Sequence, residues 1–115
     1  MWPDTSRNIE FVYTPLFESA ARDLLDDEAM RHVELALLVA PRAGDLVPRT
    51  GGVRKLRARL PGQGKRGGAR VIYLYIEIRD RVYFLLAYAK NEQVDLTAAQ
   101  KQALHTMAKQ LEELG

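Results

Sequence analysis

The sequence predicts an α+β domain, a small antiparallel sheet with helices packed on one face, in the order β-α-α-β-β-β-α. Three observations predict it. Residues 53–60 alternate cationic and apolar side chains at the period of a strand. Two further runs rich in Val, Ile, Tyr and Phe follow at 69–78 and 81–90, as in a meander. Segments on either side repeat apolar residues at helical spacing. A chain of 115 residues suits one domain over 1–115.

Each element has its own justification. Ile9 to Tyr13 is β-branched and aromatic, a short strand. Thr14-Pro15 then opens a helix: Thr caps, and proline suits a first turn whose N–H would lack a partner. Its stripe is Phe17, Ala20, Ala21, Leu24 and Leu25. Asp26-Asp27-Glu28 places acids at the start of a second helix, where the dipole favours them. That helix carries Met30, Val33, Ala36, Leu37 and Val39 and stops at Pro41. Arg42 to Gly52 is a loop. In the strand from Val53 to Leu60, Lys55, Arg57 and Arg59 point one way and Leu56, Ala58 and Leu60 the other. Pro61 to Gly68 is a basic, glycine-rich turn. In the strand from Ala69 to Ile78, Arg70 shares a face with Ile72, Leu74, Ile76 and Ile78. Asp80 sits in a short turn before the last strand, Arg81 to Lys90. Thr97-Ala-Ala-Gln100 is a capping box that opens a final helix carrying Leu104, Met107, Ala108, Leu111 and Leu114.

Composition excludes several functions. There is no cysteine, so disulfides, thiolate–metal sites and thiol catalysis are out. No apolar run approaches the ~20 residues of a membrane helix, and the first residues have no apolar core, so the expectation is a cytoplasmic protein without a leader. The net charge of +2 conceals a segregation. Residues 42–90 hold twelve of the seventeen Lys and Arg and three acids, a net of +9, while the rest of the chain nets −7. Such a block is an electrostatic footprint for a polyanion.

Little conventional catalytic equipment is present. Gly62, Gly64 and Gly67 match a dinucleotide-binding spacing, but a strand follows where that motif needs a helix. The turn reads better as a loop carrying Lys65 and Arg66 towards a phosphate. His32 and His105 lie in helices outside the basic block and read as structural, and no His/Asp/Glu spacing suits a metal, so neither metal nor cofactor is expected. What remains is Lys, Arg and Tyr. If the chain cleaves RNA, a 2′-hydroxyl attacks the adjacent phosphorus and fixed cations stabilise the developing charge. Lys55, beside Arg54, Arg57 and Arg59, would serve as base. Tyr88 would stack on a base or join proton transfer, whereas Tyr73, Tyr75 and Tyr83 read as sheet packing.

Three segments then resemble a known family: Gly51-Gly-Val-Arg54-Lys55-Leu-Arg57, Pro61-Gly-Gln-Gly-Lys-Arg-Gly-Gly-Ala-Arg70-Val-Ile-Tyr73, and Leu86-Ala-Tyr88-Ala-Lys90-Asn91-Glu92. They resemble the RelE/HigB toxins of bacterial type II toxin–antitoxin systems, most closely the HigB branch of the RelE/ParE superfamily, over nearly the whole chain and in the same element order. The resemblance implies a RelE-like fold and a ribosome-dependent mRNA endonuclease, an mRNA interferase that inhibits translation and is neutralised by a cognate antitoxin, of the HigA-like helix-turn-helix kind. It places Lys55, Arg57, Arg70 and Tyr88 in the catalytic group, and Arg54, Arg59, Lys65, Arg66, Lys90 and Asn91 in contact with RNA or ribosome. Asn91 stands where the family has an arginine, and no tyrosine follows a few residues on. Two other readings remain open: a ParE-like gyrase inhibitor, whose cations would contact a protein, and a non-catalytic nucleic-acid-binding relative.

Overall fold

A computed structural model describes residues 8–60 and 68–114. Strand β1 (Glu10–Tyr13) runs directly into helix α1 (Pro15–Ala21). Thr14 makes that junction: its hydroxyl accepts from the Phe17 N–H at 3.2 Å and donates to the Phe84 carbonyl at 2.8 Å. Helix α2 (Asp27–Val39) starts where the Asp26 carboxylate accepts from the Ala29 N–H. Then come β2 (Asp45–Leu46), β3 (Arg54–Ala58), β4 (Ala69–Ile76), one 3-10 turn (Glu77–Arg79), β5 (Arg81–Ala89) and helix α3 (Ala98–Glu113). The expected α+β order holds, with the two-residue β2 added inside the segment read as a loop.

The sheet order is β1-β5-β4-β3-β2. β3, β4 and β5 form the expected antiparallel meander, but β1 pairs with β5 in parallel, so the sheet is mixed. The Thr14 backbone N–H, at 3.2 Å from the Phe84 carbonyl, extends that pairing.

The helices cover both faces of the sheet, which corrects the expected one-sided packing. On one face Phe17, Val33 and Leu37 of α1 and α2 pack with Val71, Tyr73 and Phe84, and Phe84 stacks on Phe11 and Tyr13. On the other, Leu104 and Ala108 of α3 pack with Ile72, Leu74 and Leu85. The reason lies in the two central strands. β4 and β5 are apolar on both sides, and a sheet that is apolar on both sides needs a layer on each. Two strand ends also differ from expectation. β3 stops at Ala58, short of Leu60. β4 stops at Ile76, and Ile78 lies in the 3-10 turn with 92% of its surface exposed instead of sharing Arg70's face. The tight turn closes through Asp80 at φ +50°.

One irregularity changes which side chains share a face. Ile72 pairs with Leu86, yet Tyr73 pairs with Phe84, so β5 holds one extra residue at Leu85. Plain alternation would put Phe84, Leu86 and Tyr88 together. The bulge leaves Phe84 in the α1/α2 core and turns Leu86 and Tyr88 to the α3 face.

Candidate functional site

The register of β3, β4 and β5 assembles a row of side chains on the α3 face. Arg57 pairs with Arg70, and Arg70 pairs with Tyr88. One step along the sheet, Lys55 pairs with Ile72, and Ile72 with Leu86. Side chains directly opposed across such strands stand about 5 Å apart at Cβ. The three catalytic candidates Arg57, Arg70 and Tyr88 are thus adjacent, with Lys55 beside them.

Two like charges face each other in this row. Directly opposed like charges destabilise a sheet, and neither arginine has a carboxylate partner among the described residues. Arg57 is exposed and makes no hydrogen bond or ion pair there. Arg70 donates only to the Ala69 carbonyl, at 3.3 Å. An anion bridging both guanidiniums would relieve the repulsion, and a phosphate matches their planar donors.

Tyr88 is 7% exposed, with its ring inside the second core. Burial pushes its hydroxyl pKa up, the Asp95 charge pushes the same way, and Arg70 partly opposes both. At neutral pH it is therefore a protonated phenol with a hydrogen to donate. The expected stacking on a nucleobase does not fit a ring already covered by the core.

Lys55 meets a carboxylate that sequence reasoning missed. Its Nζ lies 3.7 Å from Asp95 Oδ1 in the loop before α3. The Leu96 N–H, first, and then Lys55, Lys101 and Lys90 hold the Asp95 carboxyl below its ordinary pKa. Both partners are substantially exposed, so the pair is weak and an incoming phosphate can replace Asp95 at Lys55. In the sequence Asp95 looks like one more helix-approach residue, and only the return of this loop to β3 reveals it. Lys90 is close by. Its ammonium donates to the Val94 carbonyl at 2.8 Å, closing the loop that carries Asp95, and Asn91 is an exposed residue of that loop.

Two of the expected RNA contacts are placed elsewhere. Arg54 pairs with Tyr73 on the opposite face, where its guanidinium donates to the carbonyls of Arg42 and Gly44 at 3.1 and 2.7 Å. It holds a loop rather than facing the row. Arg59, past the end of β3, lines a cleft with Asp26, Glu28 and His32 at the start of α2. Lys65, Arg66 and the glycine-rich turn lie outside the described residues. Among the described residues no three His, Asp or Glu side chains come together as a metal site, and no helix is long and apolar enough to cross a membrane.

The molecule is a small mixed sheet between a helical hairpin and one C-terminal helix, with a cationic row on the α3 face. The chain belongs to the RelE toxin family: the family described as the RelE toxin of the RelE/RelB toxin–antitoxin system matches residues 14–115. It is a toxin component of a toxin–antitoxin system. The fold is also that of a solved relative, a mutant of the Escherichia coli toxin RelE in the free state. The two share a TM-score of 0.53 at 14% identity over 73% of this chain and 85% of the other.

Proposed function

We propose that this toxin cuts messenger RNA on the ribosome, without a cofactor, and that Arg57, Arg70, Lys55 and Tyr88 carry the reaction. The observation that supports this most is the Arg57–Arg70 pair, two opposed guanidiniums with no carboxylate partner among the described residues. In the proposed step the ribose 2′-oxygen bonds to the adjacent phosphorus and the bond to the 5′-oxygen breaks. The products are a 2′,3′-cyclic phosphate and a 5′-hydroxyl. Lys55 takes the proton of the 2′-hydroxyl when it is in its free-amine form, becoming an ammonium, and the departing 5′-oxygen takes a proton from water. The two arginines hold the phosphoryl oxygens as charge develops, and Tyr88, kept protonated by burial, donates to the same group. Lys90 and Asn91 contact the RNA beside this site. The partner is a cognate antitoxin, and the HigB-like segments favour a HigA-like helix-turn-helix protein.

The test is cleavage of a message on purified translating ribosomes, with new 5′ ends mapped. Arg57→Ala and Arg70→Ala should each slow cutting by about 10²–10³-fold, the usual effect of removing one preorganised donor from a developing oxyanion. Cutting at the wild-type rate by both variants would refute the assignment. Growth arrest with intact messages would refute the nuclease reading itself and point to a protein target such as gyrase.

A further inference from the structure

The loop joining β2 to β3 lies against α3 and leaves a cavity of about 600 Å³, lined by Pro48, Arg49, Ala98, Lys101, Gln102 and His105. We propose that this cavity is a second anion subsite, which takes a backbone phosphate of RNA away from the bond that is cut. The inference rests on the reading of this toxin as an RNA-directed nuclease and extends its surface to residues that reading leaves unused.

The chemistry of the lining points to an anion. Arg49 and Lys101 are cationic, His105 and Gln102 add N–H donors, and no carboxylate lines the cavity. Among the described residues the side chains of Arg49, Lys101 and His105 make no hydrogen bond or ion pair. The cavity is also built rather than incidental. Arg49 has φ +68°, a conformation that L-residues avoid and that the surroundings must hold in place. They do so on both sides. Thr50 is fully buried and its hydroxyl donates to the Val47 carbonyl at 2.7 Å. Gly51, at φ +74°, rests on α3 so closely that a β-carbon there would stand 3.3 Å from His105 Cδ2. A strained arginine on a well-packed loop, with no partner among the described residues, is a side chain open to a ligand.

Position supports RNA as that ligand. The loop that carries Arg49 leads into β3 at its Lys55 end, where the Val47 N–H donates to the Val53 carbonyl at 2.9 Å and Asp45 pairs with Lys55. The cavity therefore continues the cationic row on the side of Lys55 away from Arg57 and Arg70. A single strand crossing the row at the Arg57–Arg70 pair would bring a neighbouring phosphate towards Lys101 and Arg49.

The experiment measures binding of the full chain to a short 2′-O-methyl RNA, which cannot be cut, and separately to ribosomes, as a function of salt. The variant is Arg49→Asn with Lys101→Gln, because asparagine tolerates the left-handed backbone. Lys101→Glu alone, which leaves the loop untouched, is the second variant. Each phosphate contact contributes roughly 0.7 to the salt slope for a single strand. The double variant should therefore lose about 0.7 from that slope and bind more weakly at low salt, and Lys101→Glu should weaken binding in the same direction. A loss seen with the oligonucleotide assigns the phosphate to the message, and a loss seen only with ribosomes assigns it to ribosomal RNA. Either supports the subsite. Unchanged slopes in both arms overturn it, as does loss of binding to polyglutamate or to the antitoxin with RNA binding intact. Failure of the wild type to cut RNA, with the slope change present, overturns the nuclease reading and leaves the subsite standing.

Discussion

The hydroxyl of Tyr73 accepts from the Gly44 N–H at 2.9 Å and donates to the Pro41 carbonyl at 2.8 Å, in a fully buried position. Burial pushes its pKa up, so it stays a phenol and keeps both bonds. Tyr73→Phe would strand two buried backbone groups, each worth about 1–3 kcal/mol. We expect a loss of roughly 2–4 kcal/mol in urea unfolding. The same corner sets the start of β3: a β-carbon on Gly44 would lie 2.8 Å from the Lys55 carbonyl and from the Tyr73 ring. The sequence pattern read Tyr73 correctly as a packing residue, but its hydroxyl partners lie about thirty residues away and have no local signature. Arg57 presents the opposite balance. Arg57→Thr removes a directly opposed like charge and should stabilise the fold by about 0.2–1 kcal/mol, visible as a higher melting temperature, while abolishing most cutting. A variant both less stable and less active would mean that Arg57 has a structural role.

Helix α3 positions Asp95 and the proposed subsite, and it is held at both ends. Thr97 Oγ1 accepts from the Gln100 N–H at 3.0 Å, and the Gln100 side chain accepts from the Thr97 N–H at 2.9 Å. At the far end the Arg79 guanidinium donates to the Leu111 and Glu112 carbonyls at 2.8 and 2.9 Å, meeting groups the helix cannot satisfy itself. The first device is local and was plain in the sequence as Thr97-x-x-Gln100. The second joins a turn to a helix end some thirty residues on, and it was not legible. Thr97→Ala should cost about 1 kcal/mol, measured as a lower denaturation midpoint with an unchanged slope. No loss would mean that α3 is held by its core contacts alone. The bulge in β5 belongs here too. It turns Tyr88 to Arg70's face, and nothing in the run Val82 to Ala89 announces it, because every residue there suits either side of a doubly covered strand.

Across the molecule, charge sets the response to acid and, in the proposed function, the affinity for RNA. Asp95 has a carboxyl pKa below the ordinary 3.8, first through the Leu96 N–H and then through the surrounding lysines. A lowered folded-state pKa contributes stability above the unfolded value, and that contribution is lost as pH falls through the folded one. Wild type should therefore melt above Asp95→Asn between pH 5 and 7, and the gap should close as pH drops below about 3.8. A gap that is constant with pH would mean that the carboxylate charge is not the cause. The same substitution removes the anion that competes for Lys55, so it should tighten RNA binding at low salt.

The element order, the helix caps and the cationic side of β3 all follow from periodicity among near neighbours, and they were readable without a structure. Lys55 and Arg57 share a face because two residues apart on a strand always do. The cover on both faces, the parallel β1–β5 pair, the turning of Tyr88 beside Arg70, the removal of Arg54 and Arg59 from the row and the arrival of Asp95 at Lys55 were settled by folding. Each depends on how distant segments meet, and that is decided by the closure of the whole chain around two cores rather than by any stretch of it.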